Sequence, residues 1–213
     1  MIRHFDAPDL PLSMQEVRRY AQLKDDASQA RLNDLLPEAL AQVQGRVCYD
    51  LFPVQMLGGS RINLGFSVVS SHSLCHLLRH ASQCVVFAAT IGLAYDRHMA
   101  RISKCSAADG WLLHALGTER VESLCDAFEQ HLKAEGFFLT RRFSPGYGDV
   151  PLTLQRDLFC ALDCPRQIGL TLNDSLLMSP SKSVTAIIGL TEAAEPATDR
   201  CASCTQPSCA FRS

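Results

Sequence analysis

The sequence RRFSPGYGD, residues 141–149, combines two arginines, two glycines and an aromatic ring in one predicted turn. Pro145 fixes its own φ and favours an extended Ser144, while Gly146 can adopt the positive φ required at the third position of a type II turn. Such a turn is stiff, so it can hold the planar, five-donor guanidinium of Arg142 in place before a ligand carboxylate arrives. The alternative is a surface hairpin whose arginines are incidental.

Three segments of the chain carry a resemblance to a known family. They are RRFSPGYGDVPLTLQ (residues 141–155), IGLTLNDSLLMSPSKSVTAIIG (residues 168–189) and the terminal CASCTQPSCAFR (residues 201–212). Together they resemble the activation domain of vitamin B12-dependent methionine synthase, in the form of a small free-standing protein. The similarity covers most of the chain from about residue 47 onward, and its arginine-x-x-proline-glycine-tyrosine core is the most specific part.

The resemblance implies a function. It implies S-adenosylmethionine binding and delivery of the methyl group to a cobalamin carried by methionine synthase, as the activation component of that enzyme. It also implies an electron donor such as flavodoxin or ferredoxin, because the oxidised cobalamin must be reduced before it can be methylated. One alternative keeps the fold but serves another corrinoid methyltransferase. A second alternative is a metal-sensing or redox-sensing protein built on the cysteine-rich tail.

The long predicted helix before the turn carries a row of acidic residues. Glu119, Glu122, Asp126 and Glu129 recur at three- and four-residue steps, so their carboxylates share one stripe. Carboxylates suit the sulfonium and ammonium groups of S-adenosylmethionine. By the family match, Asp126 falls near an acidic residue, usually glutamate, that meets the ligand's amino group, although aspartate is one methylene shorter. A solvated helix face is the alternative.

Eight residues are therefore predicted to bind the ligand. Five lie in the turn, one in the acidic helix and two in the polar strip MSPSKSV, which resembles the family's turn beside the adenosine. The eight are Arg142, Ser144, Pro145, Gly146, Tyr147, Asp126, Ser181 and Ser183. Within the strip, Lys182 either faces an acidic partner or is solvated.

Composition excludes several kinds of partner. The formal net charge of −2 gives no electrostatic attraction for nucleic acid or for an anionic membrane. No apolar run is long enough to span a bilayer, and the start MIRHFDAPDLP lacks the apolar core of a signal peptide. We therefore expect a cytoplasmic protein that binds neither nucleic acid nor membrane.

The chain has 10 cysteines, and most are expected to be free thiols in a reducing compartment. Cys201, Cys204 and Cys209 follow a polar linker with C-x2-C-x4-C spacing, which predicts zinc or an iron–sulfur cluster. A fourth ligand would come from Cys160 or Cys164, or from a partner. The alternative is a tail whose thiols stay reduced.

The order of predicted elements indicates an α+β fold: a single domain with a twisted, mainly antiparallel sheet and flanking helices. Helices are predicted at about residues 14–23, 27–43, 71–81, 107–135 and 154–162, and strands at about 47–56, 64–69, 84–90, 168–172 and 183–190. Residues 1–46 form an N-terminal helical segment of the same domain, residues 47–190 the ligand-binding part, and residues 191–213 a linker and cysteine-rich tail.

Overall fold

The fold is described by a computed structural model of residues 1–7 and 9–193. The helices are α1 Met14–Ala21, α2 Asp26–Leu40, α3 His72–Leu77, α4 Leu93–Cys105, α5 Ala107–Ala134, α6 Leu154–Leu162 and α7 Cys164–Ile168. The strands are β1 Arg3–Asp6, β2 Arg46–Pro53, β3 Gln55–Gly58, β4 Arg61–Asn63, β5 Val68–Ser70, β6 Gln83–Thr90, β7 Phe138–Leu139, β8 Thr171–Leu172, β9 Met178–Ser179 and β10 Ser183–Thr191.

A five-stranded sheet in the order β1-β2-β6-β10-β7 forms the centre of the fold. Its strand pairs are all antiparallel, as are those of the small β3-β4-β5 and β8-β9 sheets. The predicted α+β class with a mainly antiparallel sheet is therefore confirmed. Because β7 pairs only with the last two residues of β10, most of the outer edge of β10 is left to the loop that follows β7.

The central sheet is buried on both faces. Side chains alternate between the faces of a strand, so Phe87 of β6 packs with Leu124 and Phe128 of α5 while its neighbour Val86 packs with Leu158 of α6. The face of the sheet that packs against α5 also packs against the buried faces of α1 and α2, so the N-terminal helices share this part of the core. The opposite face packs against α3, α6 and α7.

Most long elements begin and end where the sequence predicts. The α5 helix starts after Ser106, whose side chain accepts a hydrogen bond from the amide of Asp109, and it is followed by Gly136 at φ +94°. The α6 helix has the predicted bounds, and α2 continues through Pro37 to Leu40.

Several local predictions are wrong. The strand predicted at residues 168–172 begins only at Thr171, because residues 164–168 form a helix with Pro165 in its first turn and Gly169 at its end with φ +70°. The helix predicted at residues 71–81 stops at Leu77, and the strand predicted at residues 64–69 begins only at Val68. The elements β1 and α4 were not predicted.

None of the helices within residues 1–7 and 9–193 has the length and apolar character needed to cross a membrane.

Candidate functional site

The predicted type II turn is confirmed at residues 144–147. The amide of Tyr147 donates to the carbonyl of Ser144 at 3.2 Å, Pro145 occupies the second position, and Gly146 has φ +89°. The amide of Gly146 also donates to the carbonyl of Val150 at 3.0 Å. This pair of backbone hydrogen bonds fixes the shape of the loop without help from a ligand.

The loop is fastened to the protein at both ends. At its start, Phe143 and Ile187 of β10 exchange two backbone hydrogen bonds of 2.9 Å. At its end, the Asp149 carboxylate accepts hydrogen bonds from the Ser71 hydroxyl at 2.6 Å and from the amides of His72 and Ser73 at 2.6 and 3.1 Å. These hydrogen bonds, the Ser71 hydroxyl first, lower the pKa of Asp149 below its ordinary value.

A pocket of about 530 Å³ opens beside this loop. It lies where the outer edge of β10 begins, with α5 on one side of that edge and α6 on the other. The lining residues are Glu122, Glu129, Arg141, Arg142, Phe143, Ser144, Pro145, Tyr147, Gln155, Met178, Ser183, Val184 and Thr185. A volume of this size is typical of small-molecule sites.

Arg142 lies among three carboxylates of α5. Its Nη1 donates to Asp126 at 2.7 Å and to Glu129 at 2.5 Å, and its Nη2 donates to Glu122 at 2.6 Å. Burial acts to lower the pKa of Arg142, but the neighbouring anionic groups outweigh burial and the net shift is upward. The three carboxylates and one guanidinium leave an excess of two formal negative charges in this cluster.

The first member of the acidic row has a different role. Glu119 is buried, accepts a 2.8 Å hydrogen bond from the amide of Ser13 and forms an ion pair with Arg120. Arg120 in turn donates to the carbonyls of Leu10 and Pro11 at 3.0 and 2.7 Å. This pair holds the segment before α1 against α5, so only the later three acids surround Arg142.

The polar strip before β10 is held by contacts within the protein. Ser181 donates its amide and hydroxyl to Asp96 at 2.5 and 3.0 Å, and the Ser183 hydroxyl lies 2.9 Å from Thr90 Oγ1 and 2.8 Å from the Pro180 carbonyl. Lys182 is not solvated, because it is 6% exposed and donates to Thr118 at 3.0 Å.

Five of the eight predicted ligand-binding residues line the pocket: Arg142, Ser144, Pro145, Tyr147 and Ser183. Asp126 contacts Arg142 from outside the lining set, while Gly146 and Ser181 shape neighbouring turns. The prediction that Arg142 meets a ligand carboxylate stays a prediction, since its donors here are bonded to protein carboxylates.

Two buried polar residues of the lining were missed by the sequence analysis. Gln155 and Thr185 are buried, and no described residue hydrogen-bonds the Gln155 Oε1 or the Thr185 Oγ1. The sequence does contain a signal for Thr185, because it is a polar residue within SVTAIIGL, a segment whose other residues predict a buried strand. Gln155 has no comparable signal, because a polar residue at the start of a short helix is expected to be exposed.

No family model matches the chain, and no curated protein matches it. Thirteen chains among the solved structures do match.

One of those structures is a crystal structure of the MetH reactivation domain bound to AdoHcy. It matches with a TM-score of 0.63 and 16% sequence identity, over 92% of this chain and 80% of that chain. The protein therefore has a reactivation-domain-like fold. At this level of identity, the match is evidence for the fold alone.

The cysteine predictions are only partly covered by the described residues. Cys201, Cys204 and Cys209 lie outside them, and within residues 1–7 and 9–193 no group of three His, Cys, Asp or Glu side chains could hold a metal. The two cysteines considered as a fourth ligand differ, because Cys160 is exposed on α6 whereas Cys164 is buried in the core.

Proposed function

We propose that this protein binds S-adenosylmethionine in the pocket beside residues 141–147 and supports the reductive methylation of a cobalamin held by methionine synthase. One observation carries the proposal: a binding turn, an acidic helix and the start of β10 converge on one pocket. The fold is similar to that of a reactivation domain bound to AdoHcy, which supports the same ligand class.

The charges of the pocket suit this ligand. S-adenosylmethionine carries a sulfonium, an ammonium and a carboxylate group, so its site needs acidic groups for the cations and an arginine for the anion. Glu122 and Glu129 supply the first, and Arg142 supplies the second. The cluster around Arg142 has an excess of two negative charges, which the neighbouring Arg141 of the lining reduces to one, and this excess favours a ligand whose net charge is positive.

Binding requires an exchange of partners at Arg142. Its guanidinium now contacts three protein carboxylates, so a ligand carboxylate must replace at least one of them. The displaced carboxylate then turns to the ligand's ammonium or sulfonium group. Each charge-assisted hydrogen bond that is lost is thereby replaced by another, so the exchange has a small net cost.

The chain contributes position rather than acid–base chemistry to the methyl transfer. The partner's cobalamin, once reduced by a donor such as flavodoxin or ferredoxin, supplies the nucleophile that takes the methyl group. The sulfonium sulfur keeps the electron pair of the broken carbon–sulfur bond, which leaves S-adenosylhomocysteine. Residues of the pocket orient the sulfonium and exclude water. Tyr147, which is 68% exposed at the rim, packs its ring against the ligand or the corrin edge.

Two other functions use the same chain differently. Reactivation of another corrinoid methyltransferase keeps the site and changes the partner, and a neighbouring gene for a methionine synthase without its own activation domain favours the first proposal over it. A sensor built on Cys201, Cys204 and Cys209 requires the tail for its function and does not require Arg142.

Calorimetric titration of the purified protein with S-adenosylmethionine tests the ligand. We expect binding, and we expect Arg142→Ala to weaken it by roughly 2–3 kcal/mol, the value of a charge-assisted hydrogen-bonded pair. Arg142→Lys should restore little, because an ammonium group lacks the planar fork. Arg166→Ala, on α7 and outside the pocket lining, serves as the control and should bind like the wild type.

Wild-type protein that gives neither heat nor a thermal shift with S-adenosylmethionine would contradict the assignment of the site. Because a partner can complete the pocket, the titration is repeated with a corrinoid protein present before that conclusion is drawn.

A further inference from the structure

Two polar side chains in the pocket wall have no hydrogen-bond partner within the described part of the chain. Thr185 of β10 is 2% exposed and Gln155 of α6 is 6% exposed, and their Oγ1 and Oε1 atoms are the unpartnered ones. A buried polar atom without a partner destabilises a protein, so such atoms are few. Both of these residues line the same pocket. A third such atom among the described residues, His98 Nε2, lies outside the pocket lining.

The backbone of Thr185 adds two more hydrogen-bonding groups. Antiparallel pairing sends the polar groups of alternate residues to opposite sides of a strand. The amide and carbonyl of Ile187 bond to Phe143, on the side of β10 away from β6, so those of Thr185 leave the strand on that same side. No described residue accepts from or donates to them there.

Pro145 explains why this edge stays open. Continuing the antiparallel register from the bridge between Phe143 and Ile187 would bring Pro145 opposite Thr185. Proline has no N–H group, so it cannot donate to the Thr185 carbonyl, and the chain instead turns away at residues 144–147. The binding turn thus ends the strand pairing at the position where the pocket begins.

The unpartnered groups lie apart from the charged cluster. Glu122, Glu129 and Arg142 approach the edge of β10 from the α5 side, whereas Gln155 belongs to α6 on the opposite face of the sheet. The remaining charged residue of the lining, Arg141, places its guanidinium over the Phe143 ring, 5.6 Å from the ring centroid. No charged side chain of the pocket hydrogen-bonds Gln155 Oε1 or Thr185 Oγ1. Apolar surface from Met178 accompanies them in the lining. This part of the wall suits a neutral, flat group that offers several N–H or O–H donors.

We infer that Gln155 and Thr185 form a subsite for the nucleoside half of the ligand and act as specificity-determining residues. The inference rests on the proposed function and names the part of the ligand that this wall recognises. Gln155 Oε1 accepts a hydrogen bond from the adenine amino group or from a ribose hydroxyl, and the edge of β10 at Thr185 offers a donor and an acceptor side by side.

Matched variants separate this role from a structural one. Thr185→Val and Gln155→Met remove the unpartnered atoms and keep the approximate shape. Both variants should melt at or above the wild-type temperature, because no hydrogen bond within the described structure is lost. Each should bind S-adenosylmethionine roughly three- to tenfold more weakly, the equivalent of one hydrogen bond.

Three further arms make the test specific. Thr191→Val, on the same strand but outside the pocket lining, should bind like the wild type, and Thr185→Ser should keep most of the affinity because it keeps the hydroxyl. S-methylmethionine, which has the sulfonium, ammonium and carboxylate groups but no nucleoside, should bind equally to the wild type and to Thr185→Val. Competition by adenosine and by inosine, which lacks the amino group, then distinguishes the amino group from the ribose as the donor.

The outcomes separate this inference from the proposed function. If the wild type binds S-adenosylmethionine and both variants bind it equally well, the subsite is wrong and the proposed function stands. An equal loss for S-methylmethionine also overturns the subsite, because the residues would then act on the charged half. Adenosine binding without S-adenosylmethionine binding supports the subsite and contradicts the proposed function. Binding of neither compound overturns both.

Discussion

Lys182 is a charged residue inside the protein. Its ammonium group bonds to Thr118, and its side chain packs at Gly117 of α5, where an added Cβ would lie 3.0 Å from Lys182 Cγ and 2.6 Å from the ring of Tyr95. Glycine at that position therefore permits the lysine to enter. Burial lowers the pKa of Lys182 to about 8, and the attraction of Asp96 opposes this shift.

The lowered pKa predicts a pH dependence of stability. The folded-state pKa of Lys182, about 8, lies below its ordinary value of 10.5, so folding releases a proton between those pH values. The free energy of unfolding should therefore rise with pH across this window, by up to about 3 kcal/mol. Lys182→Met should remove that rise and should be more stable than the wild type at pH 7.

Urea denaturation of both proteins between pH 7 and 10.5 measures this effect as a difference between the wild type and Lys182→Met. Burial, and after it the charge of Lys182, lower the pKa of His114 below 6.5, so the comparison starts at pH 7, above that range. Parallel curves for the two proteins would show that the lysine is not buried as a charged group.

Among the elements, helices with strong local signals were predictable from sequence, whereas α4 was missed. The α5 helix carries its own signals, namely Ser106 as a cap, apolar residues at three- and four-residue steps and Gly136 after its end. The turn at residues 144–147 was equally predictable, because Pro145 and Gly146 restrict the backbone locally.

The short strands were less predictable, because they depend on pairing with distant residues. The strand β1 exists because residues 3–6 pair with β2, some forty positions along the chain. Likewise, nothing near Arg142 in the sequence shows that it meets three carboxylates of α5, a contact that depends on how the loop returns across the helix. The charged residues of the site were thus identified by type, whereas their pairing required the fold.

The connection between the binding loop and α3 gives an element-scale prediction. Asp149→Asn removes the carboxylate that Ser71, His72 and Ser73 contact, so hydrogen exchange of the His72 and Ser73 amides should become faster at pH 7. Because the pKa of Asp149 is lowered by folding, its contribution is present above the ordinary value of 3.8 and is lost as pH falls below it. The difference from the wild type should disappear in acid.

Asp157→Asn is the matched control, since the Asp157 carboxylate bonds, among the described residues, only to the Ser67 hydroxyl and lies outside the loop. Unchanged exchange at His72 and Ser73 in Asp149→Asn would mean that the loop is not fastened through this carboxylate.

At the scale of the whole molecule, the site is assembled from segments that are distant in sequence. The pocket combines residues 122 and 129 of α5, the loop at residues 141–147, Gln155 of α6 and the start of β10. All of these precede the tail, so ligand binding should not depend on it. The tail prediction can therefore be tested separately.

Anaerobically purified protein should contain zinc or iron if Cys201, Cys204 and Cys209 hold a metal, and a chain ending at Thr198 should lack it. Elemental analysis of the two proteins decides this question. Equal metal content in both, or none in either, would contradict a metal site in the tail, while S-adenosylmethionine binding should be the same in both.

The absorbance spectrum of a corrinoid protein tests the central claim most directly. With S-adenosylmethionine, a reductant and a cognate corrinoid protein, this chain should convert the Co(II) spectrum to that of methyl-Co(III), and the rate should saturate as its concentration rises. Arg142→Ala should lose most of the conversion, whereas Arg166→Ala should retain it. A spectrum that stays unchanged with every corrinoid protein of the same genome, while S-adenosylmethionine binding is intact, would contradict the reactivation function.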